Sequence, residues 1–473
     1  MKTIKNMLLI ALVATYVSCG DDYLEPIPNS VLSGANYYTT EAQVETAVFN
    51  IYDAIQGVNS NSTNDNHSIM YEYYLTEMRS DNTRTKSSEG EAAQFESYTI
   101  QATNGIVADY YASFYNIIYR SNIVLENLGA AGSSATKFEA EAKFTRAYAY
   151  FNLVRLYGDV PLVDKVITPE DKETAYTRVA TSTIYDLIVS DLQTAVSGLD
   201  DSSKFRGSKA AAEVLLAKVH LTLGNYSQAQ ALCESVMNAS RGFSLESDFK
   251  DIFYNEGNGE IIFAVGYIED SNESQNFSAE WLNAVGRTSG VNYVTPEAVT
   301  ALDAMGGNRT QYSYRVDQAQ VTQHQVVKYL PNGDASLGIP ATSSDPQKAG
   351  NDWIVLRYAD VLLMHVEAVM AGSASTSGSN ALASFNAIRN RAGLANDADG
   401  TITKQELMDE RRVELAFENH RLFDLIRMGE AATVLGAFSS ANGLGFSTTD
   451  LLLPIPQREI NLSNGLLSQN PGY

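Results

Sequence analysis

Two stretches of this chain carry residue types and spacings that could do chemistry. Ala395-Asn-Asp-Ala-Asp-Gly-Thr-Ile-Thr-Lys-Gln-Glu406 comes near the twelve-residue calcium loop of an EF-hand. Its candidate calcium ligands are Asp397, Asp399, Thr401 and Glu406, but the first loop position, normally Asp, is Ala395, so a principal oxygen is missing. The same residues have a simpler reading, in which Thr403-Lys-Gln-Glu406 is a capping box that opens a helix. The second stretch has the makings of a sugar site. Sugars are held by an aromatic ring against the apolar face of the pyranose, with amide, carboxylate and guanidinium groups around the hydroxyls. Trp281 stands near Asn283, Arg287, Asn292 and Tyr293, and Tyr312 and Tyr314 follow close to Arg309. Far upstream, Ser80-Asp-Asn-Thr-Arg84 is polar and has no apolar period.

Catalytic signatures are missing. Acidic residues are plentiful enough to supply a glycosidase-like carboxylate pair. There is, however, no HExxH zinc motif, no Gly-x-Ser-x-Gly elbow, no phosphate loop and no dinucleotide fingerprint. His67, His220, His324, His365 and His420 show no metal-binding spacing. The chain reads as a binding protein, not an enzyme, and no cofactor is expected beyond the calcium question.

Such residues need a scaffold, and the sequence predicts a helical one. From Trp353 to Gly429 three helical patterns follow one another, each with apolar residues three and four apart. The third puts Glu410, Glu414 and Glu418 on one stripe, where like charges repel. Arg357, Arg389 and Arg391 on the neighbouring patterns are expected to answer them in an internal ion network that locks the three helices. Upstream, Thr40–Gln43 is a capping box for a helix through Gly57, and further helices are expected at Ile106–Leu128, Phe138–Tyr157 and Thr181–Leu199. Within Ser208–Ala239, Ala217, His220, Gly224, Tyr226, Ala229 and Cys233 fit a tetratricopeptide frame of two helices in close approach. His220 and Cys233 are therefore expected to pack inside that pair. The Trp353 and Ala381 helices form another pair, and Phe138–Tyr157 with Thr181–Leu199 a looser one. Between them, roughly 241–352 reads as irregular, with short β-like runs at Glu260–Gly266 and Gln325–Tyr329. The predicted fold is mostly α: tetratricopeptide-like helix pairs forming a scaffold (36–240 and 353–430), with a long irregular mid-chain region containing short β strands.

Composition and the N-terminus narrow the setting. Of 473 residues, 44% are hydrophobic and 19% charged, ordinary globular material with ample core. The net charge of −23 argues against nucleic acid, which needs a cationic face. The 27 tyrosines exceed what a core needs and hint at surface recognition. Lys2 and Lys5 precede an apolar run, Met7–Val17, that is shorter than the about 20 residues that span a bilayer. Residues 1–18 are read as a signal peptide ending at Ser18-Cys19, a lipoprotein arrangement in which Cys19 is acylated, leaving a single domain over 19–473 held to the membrane by its lipid alone. Cys233 then has no disulfide partner.

Several motifs together resemble the SusD/RagB family of cell-surface nutrient-binding lipoproteins. They are Cys19-Gly-Asp-Asp-Tyr-Leu-Glu-Pro26, Ala142–Leu153, Leu156-Tyr-Gly-Asp-Val-Pro161, Arg357-Tyr-Ala-Asp-Val-Leu-Leu-Met364 with Glu367-Ala368, Glu410–Glu418, Arg421–Arg427, Leu453-Pro-Ile-Pro456 and Asn470-Pro-Gly-Tyr473. The resemblance implies four tetratricopeptide-like helix pairs and no catalytic machinery. It implies a surface-exposed lipoprotein of the outer membrane that binds an oligo- or polysaccharide and partners a SusC-type TonB-dependent transporter. It also implies that the loop after the early helices and the mid-chain loops form the ligand face. On that basis the expected contacts are Asp81, Asn82, Arg84, Trp281, Asn283, Tyr293 and Tyr312. The alternative reading is a tetratricopeptide-type scaffold that binds a protein or peptide.

Overall fold

Helix α1 (Glu41–Gln56) begins where the sequence places its cap: the Gln43 side chain accepts the Thr40 N–H at 3.0 Å. The computed structural model describes residues 37–57, 68–85, 90–269, 273–282, 292–317 and 321–473, so Cys19, Arg287 and Asn283 lie outside the described residues. The helices that follow are α2 (Ser68–Leu75), α3 (Gly90–Ser97), α4 (Gly105–Glu126), α5 (Ala135–Tyr157), α6 (Thr181–Gly198), α7 (Lys209–Thr222) and α8 (Tyr226–Val236). After the mid-chain region come α10 (Tyr358–Met370), α11 (Ser379–Arg391), α12 (Lys404–Glu414), α13 (Arg421–Arg427) and α14 (Ala431–Asn442), with α9 (Pro296–Met305) between the two groups.

The architecture is mostly α, as expected. Helix α1 packs on α4, α4 on α5, α5 on α6, α6 on α7, α7 on α8, α8 on α10 and α10 on α11, a continuous stack. Close approach in the middle of this stack depends on small side chains. Ala210, Ala211, Ala212 and Ala217 of α7 are fully buried, and His220 and Cys233 are buried as the pairing required. The main apolar core runs from Val44 in α1 to Leu467 near the C-terminus, so the first described helix and the C-terminal segment both contribute to it.

Three local expectations are corrected. Trp353 does not begin a helix. Residues Trp353–Arg357 form a strand, β6, that pairs antiparallel with β2 (Ile261–Val265), and α10 starts only at Tyr358. Trp-Ile-Val-Leu is aromatic and β-branched enough to suit either state, and the β2 partner, buried along its whole length, decides for the strand. The third helical pattern is two helices, because Phe417 (φ 66°) and Asn419 (φ 62°) turn the chain left-handed between α12 and α13. The mid-chain region is also less irregular than expected. It holds α9, opened by Thr295, whose Oγ1 accepts the Ala298 N–H at 3.0 Å, with Pro296 in the first turn.

The ion network exists and is larger than the sequence suggested. Glu414 is fully buried and accepts from Arg357 (2.6 Å), Arg309 (2.8 Å) and Arg391. Glu418 takes Arg357 and Lys328, each at 2.6 Å, while Glu410 takes Arg309 at 2.6 Å and Arg389 at 3.3 Å. Arg309 and Lys328 come from the mid-chain region, so the network bolts that region to the C-terminal helices as well as the helices to one another. Burial opposes ionisation of Glu414, but Arg391, Arg357 and Arg309 outweigh it and hold its carboxyl well below the usual range. Burial pulls the Lys328 ammonium down to about 8 despite Glu418.

Candidate functional site

The strands of the mid-chain region gather the predicted contacts selectively. Strand β1 (Thr83–Thr85) pairs antiparallel with β3 (Asn292–Val294), which sets Arg84 directly opposite Tyr293. Val294 then bridges to His324, its N–H donating to the His324 carbonyl at 3.1 Å. His324 leads into β5 (Gln325–Val326), which pairs with β4 (Tyr314–Arg315). A small platform results from four short segments, β1 lying far upstream of the other three. Side chains alternate across strands: Thr83, Thr85, Asn292 and Val294 are buried beneath it, while Arg84 and Tyr293 are only half-buried.

On the adjoining strands, on the Val294 side of the sheet by register, the Tyr314 and His324 rings stack with centroids 5.4 Å apart and planes 27° from parallel. Tyr314 Oη donates to Asp303 at 2.7 Å, and burial together with that contact pushes its phenol up to about 12. Arg84 pairs with Glu96 and donates to Asn442 Oδ1 at 3.0 Å, while Asn442 in turn donates to Glu297 at 3.1 Å. Flat rings with a guanidinium, an amide and carboxylates beside them match the chemistry that grips a polyhydroxylated ring. Val316 and Val321, on the connection between β4 and β5, are exposed.

Other predicted contacts support the platform without facing solvent. Asp81 is buried and bidentate to Arg421 (2.8 and 3.0 Å), with Arg412 also at 3.0 Å. Burial opposes its ionisation, yet Arg412 and Arg421 keep its carboxyl below the usual range. Buried Asn82 accepts from Arg412 Nε at 3.0 Å, and the Thr295 hydroxyl donates to the Asp81 carbonyl at 2.8 Å. These bonds fasten β1 to α12 and to the start of α9.

Trp281 is corrected as a solvent-facing ring: it is 1% exposed, with its ring 5.3 Å from Tyr73 and 6.1 Å from Phe417. It belongs to the main core, because the short helix Phe277–Glu280 that leads into it turns it inward. Tyr312 is half-buried and packs on the cluster of Leu282, Val327, Leu330 and Ile339. A short helical turn, Thr310–Ser313, separates it from Tyr314 and breaks the strand-like spacing of the two tyrosines. Arg309 serves the ion network instead of a ligand. The sequence reading missed His324, Asn442 and Glu96, and passed over Tyr314. His324 alone had a local signal, as the residue leading into the β-like run at Gln325.

The carboxylates of the candidate calcium loop accept hydrogen bonds from the loop's own backbone. Asp397 Oδ1 accepts from Gly400 N (2.7 Å) and Thr401 N (3.1 Å), and Asp399 Oδ1 from Thr401 N (2.9 Å). Glu406 accepts the Thr403 N–H at 2.7 Å while Thr403 Oγ1 accepts the Glu406 N–H at 3.2 Å, the reciprocal capping box of α12. Among the described residues no three acidic, His or Cys side chains are grouped to hold a metal ion.

Comparison with known proteins agrees with the fold. The model of the SusD family matches residues 283–473, and a second family model, described as starch-binding and associating with the outer membrane, matches 22–221. A SusD-like protein of Formosa agariphila is 26% identical, with 99% of each chain covered. A solved laminarin-binding SusD-like protein is 26% identical and superposes with a TM-score of 0.76 over 92% of this chain and 100% of its own. Surface glycan-binding protein A from Bacteroides thetaiotaomicron, solved with laminarihexaose, shares the fold at 21% identity, with a TM-score of 0.74 over 91% of this chain and 100% of its own. With family models matching both its N- and C-terminal portions and its helical stack shared with these structures, the chain belongs to the SusD/RagB family.

Proposed function

We propose that this protein captures an oligo- or polysaccharide at the cell surface and hands it to a SusC-type TonB-dependent transporter. The observation that carries the reading is the pairing of Arg84 with Tyr293 across β1 and β3, with Asn442 and Glu297 on the Arg84 side, together with the Tyr314–His324 stack and Asp303 on the adjoining strands. The ligands named for the laminarin-binding relative and for the laminarihexaose complex point the same way, toward a β-glucan or a similar chain. Acylation at Cys19 would tether the protein to the outer membrane, and no helix among the described residues is long and apolar enough to cross a membrane. Affinity electrophoresis against a polysaccharide panel tests the binding step: at least one glycan should retard the wild type and not Tyr293→Ala. Co-purification with a large outer-membrane barrel tests the transfer step, and a protein never found with one counts against it.

A second reading rests on a groove of about 620 Å3 between α8, α10 and α11, lined by Met237, Phe243, Leu245, Tyr358 and Leu362 among others. It favours a peptide ligand, and binding of peptides with no glycan retarded would decide for it.

A further inference from the structure

A second cavity, of about 250 Å3, shares no lining residue with the platform and lies between α5, α6 and α7 on one side and β6, α12 and α13 on the other. One ordered water needs only about 10–15 Å3 measured in the same way, so the space suits a small molecule. Its walls carry hydrogen-bonding capacity that the protein itself does not use. The Arg155 guanidinium is sandwiched between two rings, 4.0 Å from the centroid of Phe151 and 3.8 Å from that of Phe423. It donates only to the Phe151 carbonyl (3.1 Å) and to Asn152 Oδ1 (2.6 Å) among the described residues. A guanidinium has five N–H donors, so its remaining edge is free. Arg411 spends Nε and Nη2 on Asp424, and its Nη1 has no partner although the side chain is 2% exposed. Glu72, 7% exposed, leaves Oε2 without a partner.

The charge balance of the walls selects the ligand. The other carboxylates on the cavity are already answered, Asp424 by Arg411 and Arg427 and Glu418 by Arg357 and Lys328. Arg155 forms no direct ion pair among the described residues; Glu72, across the same cavity, is the charge that acts on it most and only partly offsets its burial. A planar cation clamped between aromatic rings offers a fork that fits a carboxylate in two hydrogen bonds. Glu72 offers an acceptor for hydroxyl donors. We propose that this cavity binds a small hydroxylated carboxylic acid of the size of one sugar acid, its carboxylate on Arg155 and its hydroxyls toward Glu72. Exposed Thr222 and Ile426 and half-buried Tyr185 line the cavity and mark its mouth.

Isothermal titration of the mature protein with glucuronate, glucose and acetate tests this. Glucuronate should bind saturably, with glucose and acetate at least tenfold weaker. Thr222→Trp, an exposed substitution that plugs the mouth, should abolish glucuronate binding while glycan retardation at the platform persists. Arg155→Lys, which keeps the charge but loses the fork, should weaken glucuronate at least tenfold. Tyr293→Ala should leave glucuronate binding unchanged, so failure of this site and failure of the platform are separable. No saturable glucuronate binding, equal binding of glucose, or undiminished binding by Thr222→Trp would overturn the proposal.

Discussion

Replacing Glu414 with Gln keeps the shape of the side chain and removes the charge that three guanidiniums share. Arg357 and Arg391 meet one oxygen and Arg309 the other, all in a fully buried setting. Breaking a buried pair by neutralising one partner costs about 3–5 kcal/mol, because the opposite charge is left uncompensated. Glu260 and Glu418 still answer Arg357, and Glu260 answers Arg391, so the lower end of that range applies to those two. Arg309 retains Glu410. Unfolding entropy of about 2.1 cal/mol/K per residue over 473 residues gives roughly 1 kcal/mol/K. The variant should therefore melt about 3–5 °C lower by scanning calorimetry. Because the folded carboxyl lies well below its ordinary value, its contribution is present above the unfolded pKa of about 4.3 and is lost as pH falls through the folded value. The difference between wild type and variant should thus hold from pH 8 to 6 and shrink only in strong acid. Glycan affinity of the folded fraction should not change. A melting point within 1 °C of wild type, or lost affinity with an unchanged melting point, would refute the assignment of Glu414 to the scaffold.

Glu72→Gln should act in the opposite direction. Burial raises the Glu72 carboxyl from 4.5 to about 7, so between these values the folded state holds a proton that the unfolded chain releases, and stability falls as pH rises. The variant should gain on wild type by up to about 3 kcal/mol between pH 5 and 8, and a pH-independent difference would contradict this. Arg412→Ala removes donors to Asn82 and Asp81 that anchor β1, which should cost about 1.5–3 kcal/mol and weaken glycan retardation through displaced Arg84. Unchanged retardation would show that β1 keeps its place without the anchor. Thr403→Ala should cost about 1 kcal/mol in denaturant melts as the α12 cap is lost, and millimolar calcium should give neither heat nor stabilisation. A rise in melting temperature with calcium would restore the metal reading.

The scaffold was legible because its signals are local. Caps at Thr40 and Thr403, small residues through Ala210–Ala217 and helical spacing all act within a few turns, and the structure follows them. The acidic stripe of α12 was also legible as a demand for positive charge. Which cations met it was only half readable, since Arg309 and Lys328 come from a region without periodicity. The strand at Trp353–Arg357 was hidden for a related reason, because its state is set by a partner strand about ninety residues away. The candidate site was the least legible. Loop composition pointed to Arg84 and Tyr293, which strand pairing does bring together, but it could not separate them from Asp81, Asn82, Trp281 and Tyr312. Those residue types serve equally well in a core or an ion pair, and only burial distinguishes the two uses.

The most direct test of the account is retardation of four proteins on one glycan gel series: wild type, Tyr293→Ala, Tyr314→Ala and Trp281→Phe. Trp281→Phe preserves a buried apolar ring and should run as wild type on every polysaccharide. Both tyrosine variants should lose retardation on the glycan that slows the wild type, with circular dichroism unchanged. Retention of binding by both tyrosine variants, with loss only in Trp281→Phe, would contradict the placement of the site on the platform.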